Sequence, residues 1–337
     1  MNVAKLLMAQ PIRMTCSFGR LMRTESKSVH NVLQKNENTM SNKNLVPINY
    51  IKESNSNKHF LWLPDVFNYW LKVPQDTLQV IREALDYVLH GVVLLDDVQD
   101  GTQFRRNLPS AHRIYGTPWA ANASTFCFMA ALKKIADLGN PEAVDNFCQE
   151  MMSALDGIAL DLYWRDAFIC PTENEYMEMV KLKNSFFTLN LRIIQSFSKD
   201  RRTYSDLMNT YGVYYQIRDE YANLVNVKGL DTKSHEQEFK NLHEVMFCED
   251  ITEGRFTFPM IHGLNSSEGP TIRSILVQRT SDIRIKQHCL SLLEKVGSLD
   301  YTRRTLHDLD ADLREQIHQL GGNPVFLAYL DELSNWK

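Results

Sequence analysis

The stretch TLQVIREALDYVLHGVVLLDDVQD, residues 77–100, decides the fold of this chain. Its apolar residues and its last acids recur every three or four positions, so they share one face of a helix. The members of this face are Ile81, Leu85, Leu89, Val92, Asp96 and Asp100. The pattern predicts a helix whose face is apolar over its first turns and acidic at its end.

Seven further segments after Leu45 have the same helical period, and no segment shows a convincing strand pattern. They cover residues 118–138, 141–162, 173–197, 204–224, 269–278, 283–296 and 300–320. Residues 225–244 are rich in Lys, Glu, Asn and His and predict a long loop. The sequence therefore predicts an all-α bundle over residues 46–337, with sites built between facing helices.

The composition excludes several classes of protein. With 37 Lys and Arg against 41 Asp and Glu, the net charge of −4 argues against a broadly basic nucleic-acid binder. Apolar residues make up 44% and charged residues 23%, which is ordinary for a globular chain. No apolar run approaches the roughly 20 residues of a membrane span, so we expect no stable membrane insertion.

The first residues differ from the rest of the chain. Between Met1 and Arg23 there are cations but no acid, and Glu25 is the first carboxylate. This pattern is typical either of an organelle transit segment or of an unstructured tail. We therefore predict a tail or transit segment over residues 1–45 and one domain over residues 46–337, located in the cytoplasm, with the mitochondrion as the alternative.

The first acidic cluster combines Asp96 and Asp100, which lie one helical turn apart. Two carboxylates at this spacing repel each other unless a cation lies between them. Because their ligands are oxygen only, without His or Cys nearby, a hard cation such as Mg²⁺ fits best. The alternative is a solvated acidic helix end, and a motif this short does not distinguish between the two interpretations.

A second helix repeats this design more than a hundred residues later. Leu207, Tyr211, Tyr215, Asp219 and Asn223 form one stripe, again apolar first and polar last. Two such helices facing each other would enclose an apolar cavity with carboxylates at its rim. The cavity suits a hydrocarbon chain, and the rim suits metal ions that hold an anionic head group.

Two arginines follow the first acidic cluster. Arg105 and Arg106 come one short turn after Asp100. Guanidinium groups match phosphate oxygens, so this pair beside a metal-binding cluster suits a diphosphate. A surface basic pair would be the default interpretation anywhere else in the chain.

Five motifs carry a family resemblance when they are taken in order. They are Asp96–Asp100, Arg105-Arg106 with Pro109 and His112, DLYWRD (161–166), QIRDEYAN (216–223) and FCEDITEGRFTFP (247–259). Together they resemble the trans-prenyl diphosphate synthases, and most closely the geranylgeranyl diphosphate synthases of animals, over most of the predicted domain. The resemblance implies an all-α isoprenoid synthase bundle around a central apolar cavity, an allylic prenyl diphosphate as substrate, and a homodimer or larger assembly.

The resemblance also implies the site residues. Mg²⁺, expected as three ions and replaceable by Mn²⁺, would be held by Asp96, Asp100 and Asp219. Lys183 joins these three as a catalytic residue. The residues implied in substrate binding are Arg105, Arg106, His90, Lys58, Gln216 and Arg255.

The chain departs from the family pattern at the site for isopentenyl diphosphate. The family has Gly-Lys-x-x-Arg there, whereas this chain has Asn57, Lys58 and Leu61 at the Gly, Lys and Arg positions. Loss of one Arg–phosphate contact removes about 1.5–3 kcal/mol, which weakens binding roughly ten- to a hundredfold. The second Asp-Asp pair has become Asp219-Glu220, and Arg255 replaces a Lys.

Three functions follow as hypotheses. The first is a magnesium-dependent terpene synthase that converts geranyl diphosphate to an acyclic monoterpene such as ocimene, since the chain resembles insect terpene synthases of this lineage. The alternative is a prenyltransferase that condenses isopentenyl diphosphate with an allylic diphosphate, as a geranylgeranyl diphosphate synthase does. The third is a non-catalytic partner subunit, against which stands the retention of Asp96, Asp100 and Asp219.

Overall fold

The computed structural model describes residues 43–52, 58–105, 108–225 and 247–334. The chain divides into two units, residues 1–46 and 47–337, and of the first only residues 43–46 are described, as part of a helix. The predicted tail or transit segment lies almost wholly outside the described residues, as does the predicted loop over residues 225–244. Both stay predictions.

The described residues form mainly helices. In chain order they are α1 (residues 43–52), α2 (Lys58–Leu71), α3 (Gln75–Asp100), α4 (Ala111–Tyr115), α5 (Thr117–Asp137), α6 (Pro141–Ala167), α7 (Glu173–Lys183), α8 (Ser185–Ser196), α9 (Ser205–Val225), α10 (Glu249–Glu253), α11 (Phe258–Leu264), α12 (Gly269–Gln278), α13 (Ile283–Lys295), α14 (Ser298–Gln319) and α15 (Pro324–Leu333). The strands β1 (Phe104–Arg105) and β2 (Leu108–Pro109) form one antiparallel pair between α3 and α4. The predicted all-α class is confirmed.

The prediction of one continuous helix over residues 173–197 is wrong. Residues 173–197 form two helices that meet at Asn184, whose side-chain amide donates to the carbonyl of Gly212 on α9 (3.0 Å). On the other side α6 approaches so closely that a Cβ on Gly157 would lie 2.2 Å from the backbone nitrogen of Lys183. The close approach of α6 and α9 therefore accompanies the break, and a sequence period cannot report it.

The core lies between the long helices. Helix α3 packs along α5, α6 packs on α7 and α8, and α9 packs on α14. Near the centre, the ring of Phe187 meets those of Tyr211 and Tyr215 edge-on, with centroids 5.0 and 4.8 Å away. Within the described residues, no helix combines the length and the apolar character that crossing a bilayer requires.

Candidate active site

An apolar cavity of about 380 Å³ opens between α2, α3, α6, α8 and α9. Its apolar lining includes Phe60, Leu89, Val92, Val93, Ile158, Phe186, Phe187 and Tyr215. Its polar lining includes Asp96, Arg105, Asp161, Lys183, Asp219 and Arg255. The acidic ends of α3 and α9 therefore border the same cavity, as their matching stripes predict.

The end of α3 places its carboxylates at the mouth of this cavity. Gly101 ends the helix in the left-handed conformation (φ 67°), which glycine adopts without strain. The chain then turns through the β1–β2 pair and returns Arg105 to α3. Arg105 donates from Nε to Asp97 Oδ1 (2.7 Å) and from Nη2 to Asp96 Oδ2 (2.8 Å). Arg105 is thus fixed beside the first acidic cluster.

Arg255 joins three elements at the mouth. It donates from Nη1 to Asp161 Oδ2 (2.7 Å), from Nε to Glu253 Oε2 (2.5 Å) and from Nη2 to Asp100. Lys183 donates to the same oxygen of Asp161 (2.6 Å). Asp161 thus holds two cationic side chains next to each other, both of which face the cavity.

Asp100 is almost fully enclosed by cationic groups. Its side chain is 3% exposed and accepts hydrogen bonds from Arg255 and from Arg165 Nη1 (2.7 Å). Burial raises the pKa of Asp100 to about 7, although the charge of Arg255 opposes the rise. For Asp96, the charges of Arg105 and Arg255 outweigh burial and hold its pKa below the usual value.

A second cavity of about 210 Å³ adjoins the first and is strongly acidic. The carboxyl groups in its lining are those of Asp96, Asp100, Asp219, Glu220, Glu249, Asp250 and Glu253. The cations in its lining are Arg105, Lys183 and Arg255. Carboxylates outnumber cations here by four, and burial raises the pKa of Glu249 to about 7. Oxygen donors that outnumber the neighbouring cations, and whose pKa values are raised by burial, fit hard divalent cations.

The carboxylates of this lining are not yet arranged around one point. Among the described residues, no group of three His, Cys, Asp or Glu side chains is positioned to hold a metal ion. The arginines explain this, because Arg105 and Arg255 occupy oxygens of Asp96 and Asp100. The oxygen ligands and acidic character of this lining therefore suit a divalent cation. Their present arrangement, however, is that of carboxylates in ion pairs with arginines.

Comparison with known proteins shows which family the chain belongs to. The polyprenyl synthetase family matches residues 50–293. A terpene synthase of Matsumurasca onukii is 38% identical over 299 residues, which are 88% of this chain and 95% of that protein. The chain belongs to the polyprenyl synthetase family.

Two further relatives are named as geranylgeranyl pyrophosphate synthases. A geranylgeranyl pyrophosphate synthase of Dictyostelium discoideum is 38% identical over 292 residues, covering 86% of this chain and 92% of the relative. A geranylgeranyl pyrophosphate synthase of Mucor circinelloides f. lusitanicus is 32% identical over 313 residues, covering 92% and 96%. The resemblance to trans-prenyl diphosphate synthases is thereby confirmed.

Most of the residues that the sequence proposes for a synthetase site come together. Those that line the two cavities are Asp96, Asp100, Arg105, Lys183, Gln216, Asp219 and Arg255. Arg106 lies outside the described residues, and of Lys58 only the helical backbone is described. The roles assigned to all these residues stay predictions, although their convergence on one cleft is a finding.

His90 is placed differently from its neighbours on α3. Its side chain is 4% exposed, and Nδ1 donates to the carbonyl of Asp86 (2.5 Å). The preceding residue, Leu89, lines the cavity, whereas His90 lines neither cavity. One residue is a rotation of about 100° on a helix, so adjacent residues face different surroundings. His90 therefore does not join the residues of the two cavities, and its assignment to the second diphosphate, together with Lys58 and Arg106, stays a prediction.

Sequence reasoning assigned no site role to five acidic residues of the cleft, one of which is Glu220 beside Asp219. Asp161 lies in the motif DLYWRD, and Glu249, Asp250 and Glu253 lie in the turn around α10. Both segments belong to the motifs that carry the family resemblance, but neither shows an apolar-to-acidic stripe like those of α3 and α9. Their positions follow from the packing of α6 on α7 and α8 and of α10 on α9 and α12, which spacing along the chain does not encode.

Proposed function

We propose that this chain ionises an allylic prenyl diphosphate, with the prenyl chain in the apolar cavity and the diphosphate at its acidic mouth. The observation that carries the proposal is the second cavity, in which seven carboxyl groups and three cations border the opening of an apolar cavity. Such a lining suits an anionic head group only together with divalent cations.

The fold family implies Mg²⁺, for which Mn²⁺ is the expected substitute. Asp96, Asp100 and Asp219 would hold the ions, of which we expect three. When bound, Mg²⁺ supplies Lewis-acid stabilisation of the negative charge that develops on the diphosphate as the carbon–oxygen bond breaks.

The side chains of the cleft have separate tasks. Lys183 and Arg255, both held on Asp161, donate to diphosphate oxygens, and Gln216 donates from its amide. Phe186, Phe187 and Tyr215 line the cavity that would receive the allyl cation, where ring faces can stabilise positive charge and the apolar lining excludes water. Phe60 adds a further ring to this lining, whereas Trp164 of the motif DLYWRD lines neither cavity.

Condensation with isopentenyl diphosphate is the better supported fate of the cation. Both of the geranylgeranyl pyrophosphate synthases described above align over almost their full length. These relatives support chain elongation more than they support the ocimene-forming reaction to which the sequence departures point. We therefore propose prenyl transfer as the first candidate reaction.

Terpene synthesis is the second candidate because one specific feature favours it. Leu61 stands where the family has an Arg for the second diphosphate, and it packs partly buried against the core. A terpene synthase is among the relatives and is covered over 95% of its length. Without an acceptor, the cation would lose a proton or capture water, and the released diphosphate would be the nearest base.

One assay separates these reactions. Purified protein with Mg²⁺ receives geranyl, farnesyl or geranylgeranyl diphosphate alone, and then each with isopentenyl diphosphate. Longer diphosphates in the second set only would support prenyl transfer, and volatile hydrocarbon or alcohol from a single substrate would support terpene synthesis. Turnover that requires an added synthase would instead indicate a partner subunit and contradict the proposal.

We also propose a homodimer, because α6 has an apolar face that no other described residue covers. Met152, Leu155 and Tyr163 lie three and eight residues apart, hence on one side of the helix, and their exposed fractions are 66%, 41% and 60%. An exposed apolar stripe of this kind is typical of an interface, and a second copy supplies the same stripe.

A further inference from the structure

Glu220 replaces the second Asp of the family's Asp-Asp pair, and the structure gives it unusually complete contacts. Its Oε2 accepts from the hydroxyl of Tyr176 (2.8 Å) and from the backbone nitrogen of Phe258 (2.7 Å). Its Oε1 accepts from Nε2 of Gln216 (3.0 Å). Three donors from three elements, α7, α9 and the start of α11, therefore converge on one carboxylate.

These contacts lie in the interior. Glu220 is 7% exposed, Tyr176 is 1% exposed, and the rings of Tyr176 and Phe258 lie 5.8 Å apart. A carboxylate oxygen has two acceptor positions, and both positions of Oε2 are taken. With three of its four acceptor positions taken, the buried carboxylate stabilises the groups that donate to it more than it is available to a metal ion. Asp219, by contrast, has a side chain that is 70% exposed.

Two of these three donors are connected to residues that are predicted to bind the diphosphate head group. Gln216 is itself one of them and lies one turn before Glu220 on α9. Phe258 lies three residues after Arg255, so the bond from its backbone nitrogen fixes the end of the short segment that carries Arg255. One carboxylate thus sets the positions of a group on each side of the cleft.

The length of the side chain matters for this arrangement. An Asp at position 220 is shorter by one methylene, roughly 1.5 Å, and cannot keep all three donors within hydrogen-bond distance from the same backbone position. A Gln keeps the reach of Glu: its carbonyl can accept from Tyr176 and Phe258, and the amide of Gln216 can turn to accept from it.

We propose that Glu220 is a positioning residue for the diphosphate and not a metal ligand. It orients Gln216 and the Arg255 segment, and its reach, not its charge, is the property that the site uses. The inference rests on the proposed diphosphate chemistry of this cleft. It assigns different tasks to two neighbours on α9: Asp219 to the metal and Glu220 to the protein groups that bind the head group.

The test compares Glu220→Gln, which keeps the reach, with Glu220→Asp, which keeps the charge. Bound Mn²⁺ is counted by electron paramagnetic resonance on the full chain with excess inorganic diphosphate, and the diphosphate dissociation constant is measured by calorimetry at saturating Mg²⁺. We expect both variants to bind as many Mn²⁺ ions as wild type. We expect Glu220→Asp to bind diphosphate about tenfold more weakly than Glu220→Gln, the effect of one lost hydrogen bond to a charged group.

Two results would overturn the inference. One is a loss of bound Mn²⁺ in Glu220→Gln, which would make the charge a metal ligand. The other is a diphosphate affinity in Glu220→Asp equal to that of Glu220→Gln. If Glu220→Asp does not fold, Tyr176→Phe removes one donor and keeps the ring, and an affinity equal to wild type would again overturn it.

Asp219→Asn is the reference variant in the same titration. It should lose bound Mn²⁺ if the cleft is a metal-dependent diphosphate site. Retention of Mn²⁺ by Asp219→Asn would contradict the proposed function. If both single variants, Asp219→Asn and Glu220→Gln, lose Mn²⁺, the proposed function stands and only the role of Glu220 is contradicted. A purely structural role for Glu220 would lower the midpoint of thermal unfolding without changing the diphosphate affinity of the folded protein.

Discussion

Single residues of this chain separate two questions, whether a prenyl diphosphate is ionised and what becomes of the cation. The carboxylates and cations that we propose for ionisation converge at the mouth of the cavity. The residue that should seat an acceptor does not match the family pattern, because Leu61 is apolar and packs on the core. Position 61 is therefore the residue at which the two candidate reactions, prenyl transfer and terpene synthesis, would be decided.

Leu61→Arg tests this divergence. A guanidinium group at this position restores a charge-assisted phosphate contact of about 1.5–3 kcal/mol. We expect the ratio of elongated diphosphate to single-substrate product to rise roughly tenfold at fixed isopentenyl diphosphate, measured by chromatography of both product classes. Leu61→Met, which conserves volume without charge, is the control. An unchanged ratio in Leu61→Arg would show that the position does not contact the second diphosphate.

Elements bring these residues together in ways that their periods predict only in part. The stripes of α3 and α9 predict the acidic rim, because spacing alone decides which residues share a face. Spacing could not predict the break between α7 and α8, which accompanies the approach of the α6 backbone at Gly157. The same limit applies to Asp161, whose importance depends on the docking of α6 beside Lys183 and Arg255.

Gly157→Ala tests the packing of α6 on the end of α7. The added Cβ would lie 2.2 Å from the backbone nitrogen of Lys183, and a backbone atom cannot move aside as a side chain can. We expect the free energy of unfolding to fall by about 3 kcal/mol in urea titrations. Gly212→Ala is the matched control, since its Cβ would meet a side-chain atom of Asn184 at 3.0 Å. A Gly157→Ala protein as stable as Gly212→Ala would contradict this account of the break.

The whole molecule was predictable as a class and as a family, whereas its assembly follows from the resemblance alone and stays a proposal. Fold class follows from helical periods over most of the chain, and family follows from motifs that occur in one order. The exposed stripe of Met152, Leu155 and Tyr163 escaped sequence reasoning because an amphipathic period does not distinguish a core-facing stripe from one that faces a partner. Only the packed molecule reveals which apolar face is left over.

The double substitution Met152→Lys and Leu155→Lys tests the proposed dimer. Charges on an apolar interface are costly to bury, so the variant should run as a monomer near 39.1 kDa in light scattering, while wild type should show twice that mass. Val277→Lys, at an apolar side chain of α12 that is 47% exposed, is the control and should leave the wild-type mass unchanged. A dimer that survives the double substitution would place the interface elsewhere.

The proposed function requires that carboxylates of α3 and α9 hold the metal ions on which ionisation of the diphosphate depends. The most direct measurement is the turnover of an allylic diphosphate by Asp219→Asn at saturating Mg²⁺, with Asp206→Asn as the control. Asp206 lies at the start of the same helix and lines neither cavity of the cleft. The account predicts that turnover falls about a thousandfold in Asp219→Asn and stays at the wild-type rate in Asp206→Asn. Turnover near the wild-type rate in Asp219→Asn would contradict it.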